Sequence, residues 1–334
     1  MTSHPSPLGW GILGTGHIAS TFVGDLALLP DEAILAAVGS RTLAKAESFA
    51  RDHGVSRAYG SYAELVSDDD VEVVYIASTH NDHFASAKLC LEAGRAVLVE
   101  KPVTVTAAEA EELFALAAER DLFLMEAVWT RTNPLIRRAV EIVRSGELGE
   151  VRHVAASFGF AFDGDASHRL LDPEQAGGAI LDLGVYPVHG VNLFLGEPEQ
   201  VLAYGSHAST GVDSHAAATL TYPATESRAA ATASVLCTLE TTVPTRLEVF
   251  CAAGQVRIDN FIRPDSLSVW RGDDAEPEVM VTQWPGRGYT FQAQEVTRCL
   301  RSGERESPLV PWTDSLACMR TLDRWRAGVD GRRS

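Results

Sequence analysis

Lysine is close to absent. The chain of 334 residues holds only Lys45, Lys88 and Lys101, and its 28 lysines and arginines are outnumbered by 45 aspartates and glutamates, for a formal net charge of -17. Nucleic acids and anionic membrane surfaces are bound through clustered positive charge, so neither is expected as a partner. Cysteine is also scarce: Cys90, Cys237, Cys251, Cys299 and Cys318 are odd in number and scattered, with no C-x-x-C pair. That excludes a disulfide framework and a cysteine-based structural metal; no metal is expected, and the composition reads as a reduced, cytoplasmic protein. No charge-free apolar run is long enough to span a bilayer, and MTSHPSPLGW lacks a basic region followed by an apolar one. Neither membrane insertion nor secretion is expected. What remains is small-molecule chemistry on a chain too long for one hydrophobic core, and two domains follow.

The chain is organised around Leu8 to Ala19, LGWGILGTGHIA. Trp10, Ile12 and Leu13 suit a buried central strand, and Gly14, Gly16 and Ala19 stand at the G-x-G-x-x-G/A spacing of a dinucleotide fingerprint. The first small residue allows a tight turn, the second lets backbone approach a pyrophosphate, and the third lets helix and strand pack closely. The amides of Thr15, Gly16, His17 and Ile18 would then open a helix whose N-terminus favours an anion. Helical and strand patterns alternate from there. Residues 33–39, 57–59, 71–79, 96–99 and 122–127 read as strands, with helices over 18–29, from 61, up to Gly94, and over 106–120. This is a Rossmann-type, doubly wound parallel sheet over residues 1–130.

In such sheets ligands gather at the carboxyl ends of the strands. After the second strand an NAD site would place a carboxylate, and the sequence instead gives Ser40 and Arg41, with Lys45 one helical turn on. A carboxylate repels a 2′-phosphate, whereas a hydroxyl and a guanidinium bind one, so NADP is favoured over NAD. The alternative for Arg41 is the solvated start of a helix. Thr79, His80, Asn81 and His83 follow the 71–79 strand and are cofactor-side candidates. His83 can equally pack or cap its helix, and two histidines three apart without a third ligand do not make a metal site. Ala96 to Val99 deliver Glu100, Lys101 and Pro102. A lysine held beside a nicotinamide polarises a carbonyl or hydroxyl oxygen and lowers the pKa of a neighbouring acid.

The G-x-G-x-x-A turn, the EKP tripeptide and the later DLGVY segment together resemble the Gfo/Idh/MocA family of NAD(P)-dependent oxidoreductases, over nearly the whole chain. Within it, MEAVWTR is most similar to the branch containing dimeric dihydrodiol dehydrogenase and NADP-dependent D-xylose dehydrogenase. Trp129 of this motif either lines a substrate pocket or packs at the domain junction.

Past a linking helix over 135–145, the pattern changes to consecutive strands rich in Val, Thr, Ala and aromatics, punctuated by turns at 211–213, 223, 253–254 and 264. A large, mostly antiparallel open sheet with helices on one face is predicted, an α+β domain over 131–334 beside the α/β one. The family resemblance implies that the open face pairs two subunits, hence a homodimer. Helices are predicted over 289–301 and 313–327, and the charged end GVDGRRS is expected to fray. Tyr289 resembles an aromatic that in relatives reaches the cofactor, or else it anchors its loop.

The stretch from Asp172 to Gly196 interrupts the strands. Helical spacing from Ala179 puts Asp182, Tyr186 and His189 on one face at i, i+4 and i+7, among neighbours too apolar for an exposed helix. The resemblance implies that this segment faces the nicotinamide, with Tyr186 as general acid/base, Lys101 lowering its pKa and orienting the substrate oxygen, and Asp182 binding another hydroxyl or fixing the pair. His189 lies beyond the family position and reads as packing. The implied reaction is hydride transfer between NADP(H) and a secondary alcohol, carbonyl or anomeric carbon of a sugar, polyol or trans-diol. The alternatives are an enzyme in which Lys101 is the proton donor, and a non-catalytic NADP sensor.

Overall fold

Leu8–Leu13 forms β1 of the computed structural model, which describes residues 6–226, 228–272 and 276–331, and every residue of this strand is buried. Full burial is what a parallel strand covered on both faces requires, and it explains the unbroken apolar run. The chain divides into two units, Met1–Trp129 with Trp284–Trp312, and Thr130–Gln283 with Thr313–Ser334. The first holds β1, β2 (Ala33–Gly39), β3 (Arg57–Tyr59), β4 (Val73–Ile76), β5 (Ala96–Glu100) and β6 (Leu124–Ala127), all parallel, in the order β3-β2-β1-β4-β5-β6. Strand order reverses between β1 and β4, the switch point at which open α/β sheets take ligands.

Local chemistry sets the helix ends. Thr106 caps the helix Ala107–Arg120 in a reciprocal capping box with Glu109, and the Ser61 hydroxyl accepts the Glu64 amide to start Tyr62–Val66. Under β1 and β4 lies an aromatic core in which Phe22 stacks on Tyr75 at 3.8 Å and packs against Trp10 at 5.4 Å. Ala293, Val296 and Cys299 of the helix Thr290–Arg301 are buried in this same core. The sequence division ended the first domain near 130, and the structure adds 284–312 to it. The link is Asp25, whose buried carboxylate accepts the amides of Arg287 at 2.8 and 2.9 Å and of Tyr289 at 2.8 Å.

The second unit is built on β7 (Val151–Gly159), β8 (Gln200–His207), β9 (Asp213–Tyr222), β10 (Ala231–Thr238), β11 (Val243–Cys251), β12 (Gly254–Asp259), β13 (Ser266–Arg271) and β14 (Glu278–Val281), in the order β14-β13-β12-β11-β7-β10-β9-β8. Neighbours are antiparallel except β7 and β10, which run parallel. Inward positions such as Val154, Ala156, Ala233, Val235, Leu247 and Val249 are buried. The edge strand β14 was not predicted, because its EVMV run is short, three of its four residues are exposed and it pairs only with β13.

Two local expectations are corrected. The segment from Ala179 starts as a π-turn over Ile180–Gly184 before becoming the α-helix Val185–Leu195. The last helix is also longer than predicted: Trp312–Asp330 carries Val329 into the core at 2% exposure, so only 332–334 of the end expected to fray lie outside the described residues. The stretch Pro173–Leu195 is long and apolar enough to cross a membrane by composition, but 89% of its most apolar window is buried. Gly184 and Gly190 let it pack closely: a Cβ there would lie 3.0 Å from Trp325 and 3.3 Å from Leu247.

Candidate active site

The carboxyl ends of β1, β2, β4 and β5 share one edge of the parallel sheet, and most sequence-predicted cofactor residues arrive there with them. Gly14 takes φ +104°, and a Cβ on it would meet the Ala77 carbonyl at 2.8 Å, so the turn lies tightly over the end of β4. Gly16 is the N-cap of the helix His17–Leu26 and supplies no side-chain cap, while a Cβ there would meet nothing within 4 Å. Thr15 and Ile18 are half-buried and His17 is exposed. An uncapped helix start behind an open glycine fits a pyrophosphate. At the end of β2 the buried Ser40 donates its amide to the Tyr59 carbonyl at 3.1 Å, and Arg41 and Lys45 are exposed. Burial raises the Tyr62 phenol and the Arg41 charge opposes that rise, so Arg41 lies within electrostatic reach of Tyr62.

The loop that carries Lys101 is clamped at each of its neighbours. Glu100 accepts the Tyr75 hydroxyl on Oε1 at 2.5 Å and the Lys101 amide on Oε2 at 3.2 Å. The Pro102 carbonyl lies 2.7 Å from His83 Nδ1, and the Val103 amide donates to Glu126 Oε1 at 3.0 Å. The Lys101–Pro102 peptide is cis. Burial pushes His83 down to about 3, so its imidazole is neutral, with one N–H for two carbonyls: Pro102 at 2.7 Å and Ser78 at 3.3 Å from Nε2. The shorter contact takes the proton, and His83 thereby holds the lysine loop. His80, 7% exposed, sits edge-on to it at 5.7 Å, in the helix His80–Glu92 with Asn81 and with Thr79 at its N-cap. Burial raises Glu100 to about 7, against the Tyr75 bond and the Lys101 charge. Trp129 stacks on Tyr289 at 4.4 Å, and Tyr289 meets the edge of Phe22 at 6.3 Å while Asp25 holds its amide.

In the second unit the helix-face trio has unequal surroundings. Asp182, 6% exposed, sits in the π-turn and accepts from Arg169 Nη1 at 3.1 Å. Tyr186 is half-buried and presents its ring edge-on to Phe158 at 5.9 Å. His189 is fully buried with Nδ1 3.4 Å from Arg131, which is ion-paired with Asp314. Packing, as expected for His189, thus includes a polar partner. Sequence reasoning missed Tyr75, Arg131 and Arg169 because each acts through a partner remote in the chain. The one available signal was composition, since a buried strand such as Val73–Ile76 has no need of a hydroxyl on its tyrosine. Among the described residues no group of three or more metal-ligating side chains occurs.

Known proteins match nearly the whole length of the chain. The family model for the NAD-binding Rossmann fold of the Gfo/Idh/MocA oxidoreductases matches residues 8–128, and that for the Gfo/Idh/MocA C-terminal domain matches residues 136–257. Trans-1,2-dihydrobenzene-1,2-diol dehydrogenase from Bos taurus is 37% identical, over 96% of this chain and 97% of its own. The D-xylose 1-dehydrogenase (NADP(+)) of Hypocrea jecorina is 36% identical, over 96% and 92%. Among solved structures, a 3-ketoreductase from Actinomadura kijaniata in complex with NADP and TDP-benzene superposes with a TM-score of 0.82 at 28% identity, covering 97% of this chain and 98% of that one. An aldose-aldose oxidoreductase from Caulobacter crescentus complexed with glycerol gives 0.87 at 26% identity, covering 98% of each. With the fingerprint turn, the clamped Lys101 and both family models in agreement, the chain belongs to the Gfo/Idh/MocA family of NAD(P)-dependent oxidoreductases.

Proposed function

We propose that this enzyme is an NADP(H)-dependent dehydrogenase or reductase of sugars or vicinal trans-diols. The observation that carries the reading is Lys101, one of three lysines, held at the ligand-binding edge of the sheet by Glu100, His83 and Glu126 through the backbone on either side of it. A solvated surface lysine has no use for three buried partners. The names of the dehydrogenase relatives support the substrate class, and the D-xylose enzyme and the ketoreductase complex support NADP. So does the absence of a carboxylate from Ser40-Arg41 at the end of β2.

The cofactor, when bound, accepts or donates the hydride at its nicotinamide ring. The Gly14–Ile18 turn would hold its pyrophosphate, Ser40, Arg41 and Lys45 its 2′-phosphate, and Thr79, His80, Asn81 and Glu100 the neighbouring edge. In the oxidative direction Tyr186 takes the proton from the reacting hydroxyl. A free phenol, near pKa ~10, needs a nearby cation to act as a base at neutral pH, and Lys101 has that role while orienting the same oxygen. Asp182 accepts from a second substrate hydroxyl. The competing assignment makes Lys101 the proton donor and Tyr186 a positioning group.

The subunit is proposed to work as a cytoplasmic homodimer paired through the outer face of the large sheet. That face bears a groove of about 560 Å³ floored by small residues including Ala155, Ala217 and Thr219, beside Leu202 and Tyr204, 59% and 66% exposed. The test of function is NADPH formation or consumption against a panel of aldoses, trans-diols and ketosugars. Silence across the panel with tight NADP binding would instead favour a cofactor sensor.

A further inference from the structure

Tyr75 brings a hydroxyl into the otherwise apolar strand β4, and the register of the sheet aims it at one group. Tyr75 pairs with Leu98 of β5 and Glu100 lies two residues further on, so all three side chains share the face turned to Phe22. The Tyr75 ring is 0% exposed and stacks on Phe22 at 3.8 Å with 19° between the planes, which fixes the direction of its hydroxyl. That hydroxyl donates to Glu100 Oε1 at 2.5 Å, while Oε2 accepts the Lys101 amide at 3.2 Å. The carboxyl, 7% exposed, thus bridges a rigid ring in the core and the backbone of the lysine. Packing alone has no use for the phenol oxygen, since the ring of a phenylalanine would stack on Phe22 in the same way.

We infer that Tyr75 is a positioning residue for the reaction: through the Glu100 carboxylate it fixes the backbone from which Lys101 acts, and this clamp is complete only while Glu100 is ionised. The inference rests on the proposed role of Lys101. A carboxylate accepts on both oxygens, whereas a carboxylic acid turns one of them into a donor, so one of the two bonds that end on Glu100 must then weaken or reverse. The groups acting on this carboxyl are Tyr75 from β4, Glu126 from β6 and Lys101 from its own loop. His83, from the helix His80–Glu92, is neutral and bonded to the Pro102 carbonyl. Burial lifts Glu100 to about 7 and the bond from Tyr75 opposes that lift, so the phenol favours the complete clamp. A small displacement of a reacting group slows the chemical step far more than it weakens binding.

The experiment compares the full-length wild type with Tyr75→Phe and Glu100→Gln, at saturating NADP and with the best substrate from the panel, following kcat/KM from about pH 5 to 9. Tyr75→Phe keeps the ring on Phe22 and loses the bond. It should lower kcat by roughly tenfold, with KM for NADP and for substrate within about twofold of wild type. The acid limb of the wild-type profile, expected near 7, should move upward by about one pH unit in Tyr75→Phe. Glu100→Gln has no carboxyl to titrate and should give a low kcat without that limb. A merely structural role for the hydroxyl would reduce the active fraction and leave the limb in place. Should Tyr75→Phe fail to fold, Glu100→Gln carries the test. An acid limb unmoved or lowered in Tyr75→Phe, or a limb kept with wild-type kcat in Glu100→Gln, overturns the positioning role while leaving the proposed function intact. A wild type inactive on the whole panel overturns the proposed function and this inference with it.

Discussion

Tyr75 on β4 and Glu100 at the end of β5 share a hydrogen bond of 2.5 Å, with the phenol donating to a carboxyl that burial has raised to about 7. The ionisable groups acting on Glu100 are Tyr75 and Lys101, which lower it, and Glu126, which raises it. In the unfolded chain Glu100 would lose its proton near pH ~4.5, so between about 4.5 and 7 the folded state alone retains it. The stability this contributes is complete below 4.5 and lost as the pH rises through 7, an amount of about 3 kcal/mol. His83 acts oppositely: burial lowers it to about 3, so its contribution grows from about pH 3 to 6.5. Urea unfolding at a series of pH values should therefore show wild type losing stability relative to Glu100→Gln between pH 4.5 and 7. A flat difference would mean that Glu100 titrates normally.

Cofactor choice should reside in Arg41. Arg41→Ala is expected to weaken NADP binding by roughly ten- to a hundredfold, about 1.5 to 3 kcal/mol for a charge-assisted contact, and to leave NAD nearly untouched. Calorimetric titration with both cofactors decides it; equal weakening of the two would assign Arg41 to the solvated start of its helix.

Tyr186→Phe should remove most turnover, by on the order of 10²- to 10⁴-fold, while leaving folding and NADP affinity in place. Its ring packing against Phe158 is preserved by the substitution. Lys101→Ala should also be slow, and the double variant should fall short of additivity if the two residues share one proton-transfer step as proposed. Near-normal turnover in Tyr186→Phe beside an inactive Lys101→Ala would hand the proton to the lysine.

Leu202 and Tyr204 are large exposed side chains beside the small residues Ala155, Ala217 and Thr219 of the sheet face, and a dimer through that face would bury them. Light scattering at micromolar concentration should report two subunits for the wild type and one for Leu202→Glu/Tyr204→Arg. A monomeric wild type rejects the interface.

Sequence alone determined the parallel sheet, because Leu8–Leu13, Ala33–Gly39 and Ala96–Val99 are apolar runs that only a doubly covered strand accommodates, and the glycine spacing located the tight turn between β1 and the helix His17–Leu26. It likewise placed Lys101 at a strand end, since the glycine and strand signals that locate it are local ones. The tertiary structure decided everything that depends on a partner distant in the chain. Asp25 draws 284–312 into the first unit through backbone amides, which carry no residue identity to read. Tyr75 meets Glu100, Arg131 meets Asp314 and Arg169 meets Asp182 across 25, 183 and 13 residues. Hydrophobic periodicity reports which face of an element is buried. Which polar group waits on the other side is fixed only when strands and turns pack, because a buried charge is tolerated just where folding brings its partner.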